Sequence, residues 1–374
     1  MKFAPIYRIG CHDPDRFHES SLREPRMTMP ASASTDSLVH HVNRSPRHET
    51  AWIECGPADG PLMIFVHGWP ELGILWRRQM QYFSHAGWRC IAPDMRGYGR
   101  SSIPTSTTAY TLCEIVADMI ELHDALGADA AVWVGHDWGS PVVSSLAAHH
   151  ANRCLAIVNI SVPYLPDGFA LSSIVPLVDR ALYPLDAFPL GQWDYYAFYN
   201  EQFDQATKDF EADIRATFAA IFRRGSPNAV GQPSPTASVR AKGGRFGAAH
   251  RAPDIPRDES MMSEHDFDTF VRSFTSSGFR GTIAWYLNDE ANIAFARSAP
   301  NAGRLTLPVL FLNGLWDPIC DITRSASGDP MRKTCADLTV VSIEGGHWLP
   351  LECPDRVNDA IAKWLDEKQL LRLT

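Results

Sequence analysis

AVWVGHDWGS, residues 131–140, decides the fold. The first five residues form a short apolar run of the kind that a strand buried on both faces requires. From Gly139 to about His150 the pattern is helical, so a tight turn joins strand to helix. Gly135 and Gly139 flank Asp137 at minus two and plus two. A turn sharp enough to lift one side chain above a sheet leaves room only for small residues at those two places. The side chain so lifted stands over a helix N-terminus, where negative charge is favoured. Here that side chain is a carboxylate, ionised at neutral pH, which needs no base before it attacks a saturated carbon. The ester formed would then have to be cleaved by water. The competing reading, that Asp137 merely caps the following helix, calls for no partners elsewhere in the chain.

Working outward, SLVHHV and TAWIEC read as two short strands. Gly-Pro-Ala-Asp-Gly at 56–60 is strong turn chemistry. LMIFV (62–66) and WRCIAPD (88–94) are further continuous apolar runs, and between them Leu75, Trp76, Met80 and Phe83 recur at helical spacing. Leu112, Ile115, Val116, Met119, Ile120, Leu122 and Leu126 make one helical stripe before the 131–135 strand. LAIVNI (155–160) follows. Alternation of this kind predicts an α/β fold, a mostly parallel twisted sheet with helices on both faces. The rhythm breaks near Pro163, and residues 164–300 carry mostly helical pattern and many aromatics. It returns with LPVLFLNG (307–314), LTVVSIEG (338–345) and a closing helix from Pro354 to about Lys368. The expected organisation is a core of residues 37–163 and 301–374, interrupted by a helical lid at 164–300. Within that lid, residues 225–258 are rich in Gly, Pro, Ser and Ala with little periodicity, which predicts a flexible excursion. Residues 1–36 are expected to form a loosely attached arm, with Met27 and Met29 as alternative starts.

Partners for Asp137 are present. On such a sheet the order along the chain is nucleophile, acid, histidine. Asp317 follows PVLFLNGLW and His347 follows TVVSIEGG, both at C-terminal strand ends, where open α/β sheets place their sites. His347 would serve as general base toward water, with Asp317 orienting its ring. HGWPE (67–71) follows LMIFV, and the backbone N–H groups of Trp69 and Trp138 are the natural oxyanion-hole pair. His67 reads as structural.

The 374 residues are 45% hydrophobic and 21% charged, with net charge −9. Net acidity without a long basic run argues against a nucleic-acid partner. Cysteines at 11, 55, 90, 113, 154, 320, 335 and 353 form no CxxC pair, as expected of free thiols in a reducing compartment. The first residues lack an apolar core of signal-peptide length, and no run reaches the about eighteen apolar residues of a membrane span. The expectation is a soluble, cytoplasmic protein, monomer or homodimer, with no membrane partner. His149-His150 and His40-His41 lack any Cys or carboxylate pattern around them, so no metal site is expected.

HGWPE, GHDWGS, GLWD and GGHW together resemble the epoxide hydrolases of the α/β-hydrolase fold family. The resemblance covers about residues 37–370 apart from 225–258. WDYYAFYNE (193–201) is similar to the family segment carrying a first lid tyrosine, which falls on Tyr195. SGFRGTIAWYLN (277–288) is similar to that carrying the second, which falls on Tyr286. Spacing alone does not choose among Tyr195, Tyr196, Phe198, Tyr199 and Trp285. The resemblance implies hydrolysis of a small apolar epoxide to a vicinal diol, with two phenols donating to the opening oxygen and no metal or organic cofactor. Trp193, Trp285 and Trp348, beside Trp69 and Trp138, would make the pocket largely apolar. Two departures stand out: LGILW after HGWPE, where a polar residue is expected after Glu71, and the 225–258 excursion.

Rival readings remain distinct in chemistry. A haloalkane or haloacetate dehalogenase would share Asp137 and His347 but would need halide donors in place of two phenols. A non-catalytic receptor on the same fold would not need all three triad positions filled. A serine esterase is the weakest, because Ser140 lies three residues past the turn, inside the helix.

Overall fold

The computed structural model describes residues 38–370; the arm expected at 1–36, the alternative starts and Cys11 lie outside the described residues. The strands are β1 (Val39–Arg44), β2 (Glu49–Cys55), β3 (Leu62–Val66), β4 (Arg89–Pro93), β5 (Ala131–His136), β6 (Cys154–Ile160), β7 (Leu305–Gly314) and β8 (Cys335–Ile343). Among the described residues they join in one sheet of order β1-β2-β4-β3-β5-β6-β7-β8. Pairings of β2 with β1 and β4 are antiparallel, and every other neighbouring pair is parallel. Apolar runs dictate this order of burial. Every residue of β3 and β5, which lie inside the sheet, is buried. β1 and β8 form the edges, where most residues are exposed or half-buried.

Helices cover both faces. A single 3-10 turn (Gly73–Trp76) leads into α1 (Arg77–His85), and α2 spans Leu112–Leu126. The start of α2 is set by Thr111, whose side chain accepts from the Glu114 N–H at 3.3 Å, a capping arrangement legible as T-L-C-E. It ends at Gly127, with φ +69, where a side chain would be strained. Helix α3 (Gly139–His149) follows the decisive turn directly.

Residues 161–304 leave the sheet after β6 and return to it at β7, its neighbour. They contain helices Asp194–Glu201, Phe203–Glu211, Ile214–Ile221, Glu264–Ser277 and Asp289–Arg297. Their aromatics pack on one another, with Phe274 against Phe279 at 4.6 Å and Phe218 against Phe274 at 4.9 Å. Phe210 in turn meets Trp69, 5.2 Å between ring centroids. The segment's aromatic layer therefore rests on the loop that follows β3. Residues 225–258 carry three 3-10 turns of three or four residues, at Pro227–Ala229, Pro235–Ser238 and Gly247–Ala249. Turns this short leave no periodic signature in sequence. Ser234, Thr236, Ala237, Val239 and Ala252 are buried nonetheless. The seven cysteines among the described residues are all free thiols. No helix among the described residues is long and apolar enough to cross a membrane.

The turn at 135–139 is closed by backbone contact. A Cβ on Gly139 would stand 2.0 Å from the Val66 carbonyl oxygen, and one on Gly135 would stand 2.3 Å from the Gly139 carbonyl oxygen. Neither oxygen can move without opening the sheet. Gly139→Ala is therefore expected to lower unfolding free energy by about 2 kcal/mol or more, read from the shift of the denaturant midpoint.

Candidate active site

Asp137 sits at the corner with φ +50, a left-handed conformation costly for a residue with a side chain. Its Oδ1 accepts a hydrogen bond from the Trp69 N–H at 2.7 Å. Gly68 makes that approach possible, since a Cβ there would lie 2.5 Å from Asp137 Oδ1. The Trp138 N–H, next in chain, makes no hydrogen bond among the described residues, so Trp69 and Trp138 offer one engaged and one free amide beside the carboxylate.

His347 and Asp317 reach the same place from the ends of β8 and β7. His347 Nε2 lies 3.4 Å from Asp137 Oδ2, and Nδ1 lies 2.8 Å from Asp317 Oδ2. Asp317 Oδ1 accepts from the N–H groups of Ile319 and Cys320, at 2.8 and 3.1 Å. All three side chains are nearly buried. Burial alone would lower the His347 pKa. The charge of Asp317 and hydrogen bonds to Asp137 and Asp317 overcome it, and the ring's pKa stands well above 6.5. Burial would raise Asp317, but charge and hydrogen bonding from His347, with the two amides, hold it below its ordinary range. The two shifts agree: both follow from an imidazolium held against an ionised Asp317.

Tyr195 and Tyr286 line a cavity of about 340 Å³ together with Asp137 and His347. Their ring centroids are 5.9 Å apart. Burial pushes both phenols well above 10; Asp137 adds to this at Tyr195, and Tyr195 followed by Asp137 at Tyr286. Such phenols stay protonated and can donate to a developing negative charge. Tyr196 is turned away, its hydroxyl donating to Asp289. Tyr199, one helical turn beyond Tyr195, joins the cavity wall.

Buried carboxylates fix the loops. Glu71 accepts from the Gly68 N–H at 2.6 Å and meets His136 Nδ1 at 2.6 Å; His136 Nε2 in turn donates to the His347 carbonyl at 2.7 Å. Glu352 accepts from the N–H groups of Gly346, Trp348 and Gly225, at 2.8, 3.0 and 2.9 Å. His347 is thus clamped from both chain neighbours. His67 is structural: burial lowers its pKa to about 3, and its Nε2 accepts from the Met95 N–H. Asp317, Cys320 and His347 bring donor atoms within 4.8 Å of one another. His347 Nδ1–H donates to Asp317 Oδ2, so both atoms are engaged, and burial raises the Cys320 thiol to about 12, so it is not a thiolate.

The alpha/beta hydrolase fold family model matches residues 61–354. Epoxide hydrolase A of Mycobacterium tuberculosis is 32% identical over 326 residues, 85% of this chain and 94% of that protein. The chain belongs to the epoxide hydrolases of the α/β-hydrolase fold family. Epoxide hydrolase B of the same organism is 30% identical, over 88% of this chain and 98% of that one. The crystal structure of epoxide hydrolase A from Mycobacterium thermoresistibile superposes with TM-score 0.72 at 29% identity, covering 88% of this chain and 98% of that chain. An epoxide hydrolase from an endophytic Streptomyces gives 0.71 at 29% identity, covering 89% and 96%.

As a member of that family, the chain brings Asp137, His347, Asp317, Tyr195 and Tyr286 to one place. Trp69 and Trp348 line the cavity with Asp137, His347, Tyr195 and Tyr286, whereas Trp193 and Trp285 stand outside its wall. The Trp285 Nε1–H donates to the Arg96 carbonyl at 3.0 Å, and Trp193 packs edge-on against Phe169. Sequence reasoning missed Glu352 and the contribution of 225–236 to the cavity wall. For Glu352 a signal existed, a lone acidic residue in the apolar LPLEC run.

The sign of the His347 shift fixes a pH dependence. Its folded pKa is raised, so its contribution to stability is complete below the unfolded value of 6.5 and is lost as pH rises through the folded value. Asp317 is lowered, so its contribution is present above 3.8 and lost below. The stability advantage of the native protein over His347→Gln is expected to be largest between these values and to shrink in alkaline solution, as measured by denaturant titration across pH.

Proposed function

We propose that this protein hydrolyses an epoxide to a vicinal diol through an ester on Asp137. The observation that carries the reading is that Asp137 and the phenols of Tyr195 and Tyr286 share the wall of one cavity. The epoxide hydrolases among its relatives support the substrate class. Residues 164–300 act as the lid that brings the phenols over the sheet.

In the first step Asp137 Oδ2, the oxygen not held by the Trp69 amide, attacks an epoxide carbon. The carbon–oxygen bond breaks, and the oxygen takes a proton from the phenol pair. A phenol whose own pKa is raised is the better matched to an alkoxide of high pKa. Esterification removes the Asp137 charge, one of the groups holding the extra proton on His347. That proton returns to the phenolate through the cavity, and His347 becomes a neutral base held by Asp317. In the second step His347 takes a proton from water, and the oxygen attacks the ester carbonyl. Negative charge on the carbonyl oxygen meets the Trp69 and Trp138 N–H groups. Collapse releases the second hydroxyl of the diol, protonated by His347, and leaves Asp137 as a carboxylic acid; its proton passes to the neutral His347, which restores the carboxylate and the starting imidazolium. Water is the only co-reactant, and the protons balance.

Dehalogenation is less well supported. Its halide would draw on the Trp138 indole, and that side chain is not part of the cavity wall.

His347→Gln is expected to stop after the first step. Intact mass spectrometry after adding styrene oxide should show the protein heavier by one epoxide, on the peptide containing Asp137; an unchanged mass with binding confirmed would sink the mechanism. Tyr286→Phe is expected to lower epoxide turnover on the order of a hundredfold. Chloroalkanes assayed alongside should release no halide.

A further inference from the structure

The cavity beside Asp137 carries an excess of positive charge. Arg223, Arg224 and Arg245 border it, and Asp137 is the one carboxylate among its lining residues. Two of these arginines have work elsewhere: Arg223 donates to the Pro256 carbonyl at 2.6 Å, and Arg224 to the Glu352 carbonyl at 2.9 Å. Arg245 is different. It is half-buried beside Tyr199, whose phenol feels its charge. Among the described residues its guanidinium makes no hydrogen bond and no ion pair. A guanidinium partly withdrawn from water and left unmatched is unfavourable, and arginines in such places are ordinarily paired.

The backbone holds Arg245 there. Gly244, at φ +144, runs so close to Asp209 that a Cβ would lie 2.5 Å from its Oδ2. On the other side, the Phe246 ring packs edge-on against Phe210, 5.5 Å between centroids. Asp209, which with Arg245 acts on the Tyr199 phenol, is an acidic candidate for a partner inside the protein. Its Oδ1 takes Gln205 and His250, at 2.7 and 2.9 Å; its buried Oδ2 has no hydrogen-bond partner among the described residues, and Asp209 makes no ion pair with Arg245.

We propose that Arg245 recognises a carboxylate at the far end of the epoxide substrate. The inference rests on the epoxide reading and narrows it. A guanidinium fork fits a carboxylate through two parallel hydrogen bonds, and the pairing is strong where water is scarce. Arg245 and Asp137 line the same cavity, whose wall is largely apolar, with Trp69, Tyr199, Ile221, Trp316 and Trp348 among its residues. The substrate class is therefore an epoxide with an apolar body and one anionic end. The same arginine keeps the substrate's negative group away from Asp137, whose attack a nearby like charge would oppose.

The test compares the epoxide of undecenoic acid with its methyl ester, as kcat/KM on the native protein, Arg245→Met and Arg245→Lys. The native protein is expected to favour the acid by roughly tenfold, with the preference weakening as salt is raised. In Arg245→Met the ratio should fall to about one, and Arg245→Lys should keep part of it. Equal rates for acid and ester in the native protein overturn the proposal, whatever the variants do. So does a preference that survives in Arg245→Met, or an equal fall for both substrates with the ratio kept, which would mean that Arg245 serves only to balance Asp209. Turnover of the ester without discrimination leaves the epoxide reading standing. Turnover of neither substrate, nor of styrene oxide, overturns both.

Discussion

The carbonyl oxygen of Val66 has no room for a side chain at position 139, and the rest of the site depends on that contact. Because Gly139 can sit against it, α3 starts immediately above β3, and the corner between β5 and α3 is sharp enough to force Asp137 into a left-handed conformation. The same closeness brings the loop after β3 alongside, so that the Trp69 N–H reaches Asp137 Oδ1. Gly68 has to be bare for that loop to pass. Three glycines therefore place one carboxylate against one amide, and the strain at Asp137 is sustained by the buried sheet beneath it.

Charge follows from this geometry. Two carboxylates nearly withdrawn from water would each resist ionisation if isolated. His347 lies between them, taking a proton and drawing Asp317 into the ionised state. On the proposed mechanism the first chemical step neutralises one of the two carboxylates. The change in charge is what turns the ring from an acid into a base, with no movement of backbone needed. Glu71 and Glu352 keep the loops still while this happens, each by accepting hydrogen bonds from backbone amides that would otherwise be orphaned near the site.

The segment between β6 and β7 completes the cavity with groups of another kind. Phenols that burial keeps protonated face the carboxylate, and apolar rings exclude water around them. Residues 225–258, without helical or strand periodicity, supply much of the remaining wall, including Arg245, the one cavity-lining arginine with no hydrogen bond or ion pair among the described residues. On the proposed mechanism the sheet carries the bond-making groups, and the insertion decides what can be presented to them.

Sequence alone determined the parallel sheet, the corner at Asp137, and the positions of Asp317 and His347 at strand ends. Each of these leaves a local record in the chain: apolar runs that bury both faces of β3 and β5, and glycines that permit one sharp turn. Tertiary structure alone decided which tyrosines face the carboxylate. Tyr195 and Tyr196 are neighbours, about 100° apart around one helix. Packing against Asp289 turns one away and leaves the other, with Tyr199, on the cavity. It likewise excluded Trp193 and Trp285, recruited Glu352 as a clamp, and left Arg245 unpaired. The physical reason is common to all of them: membership of a cavity depends on where a side chain points relative to elements tens to hundreds of residues away, and nothing in local spacing records that direction.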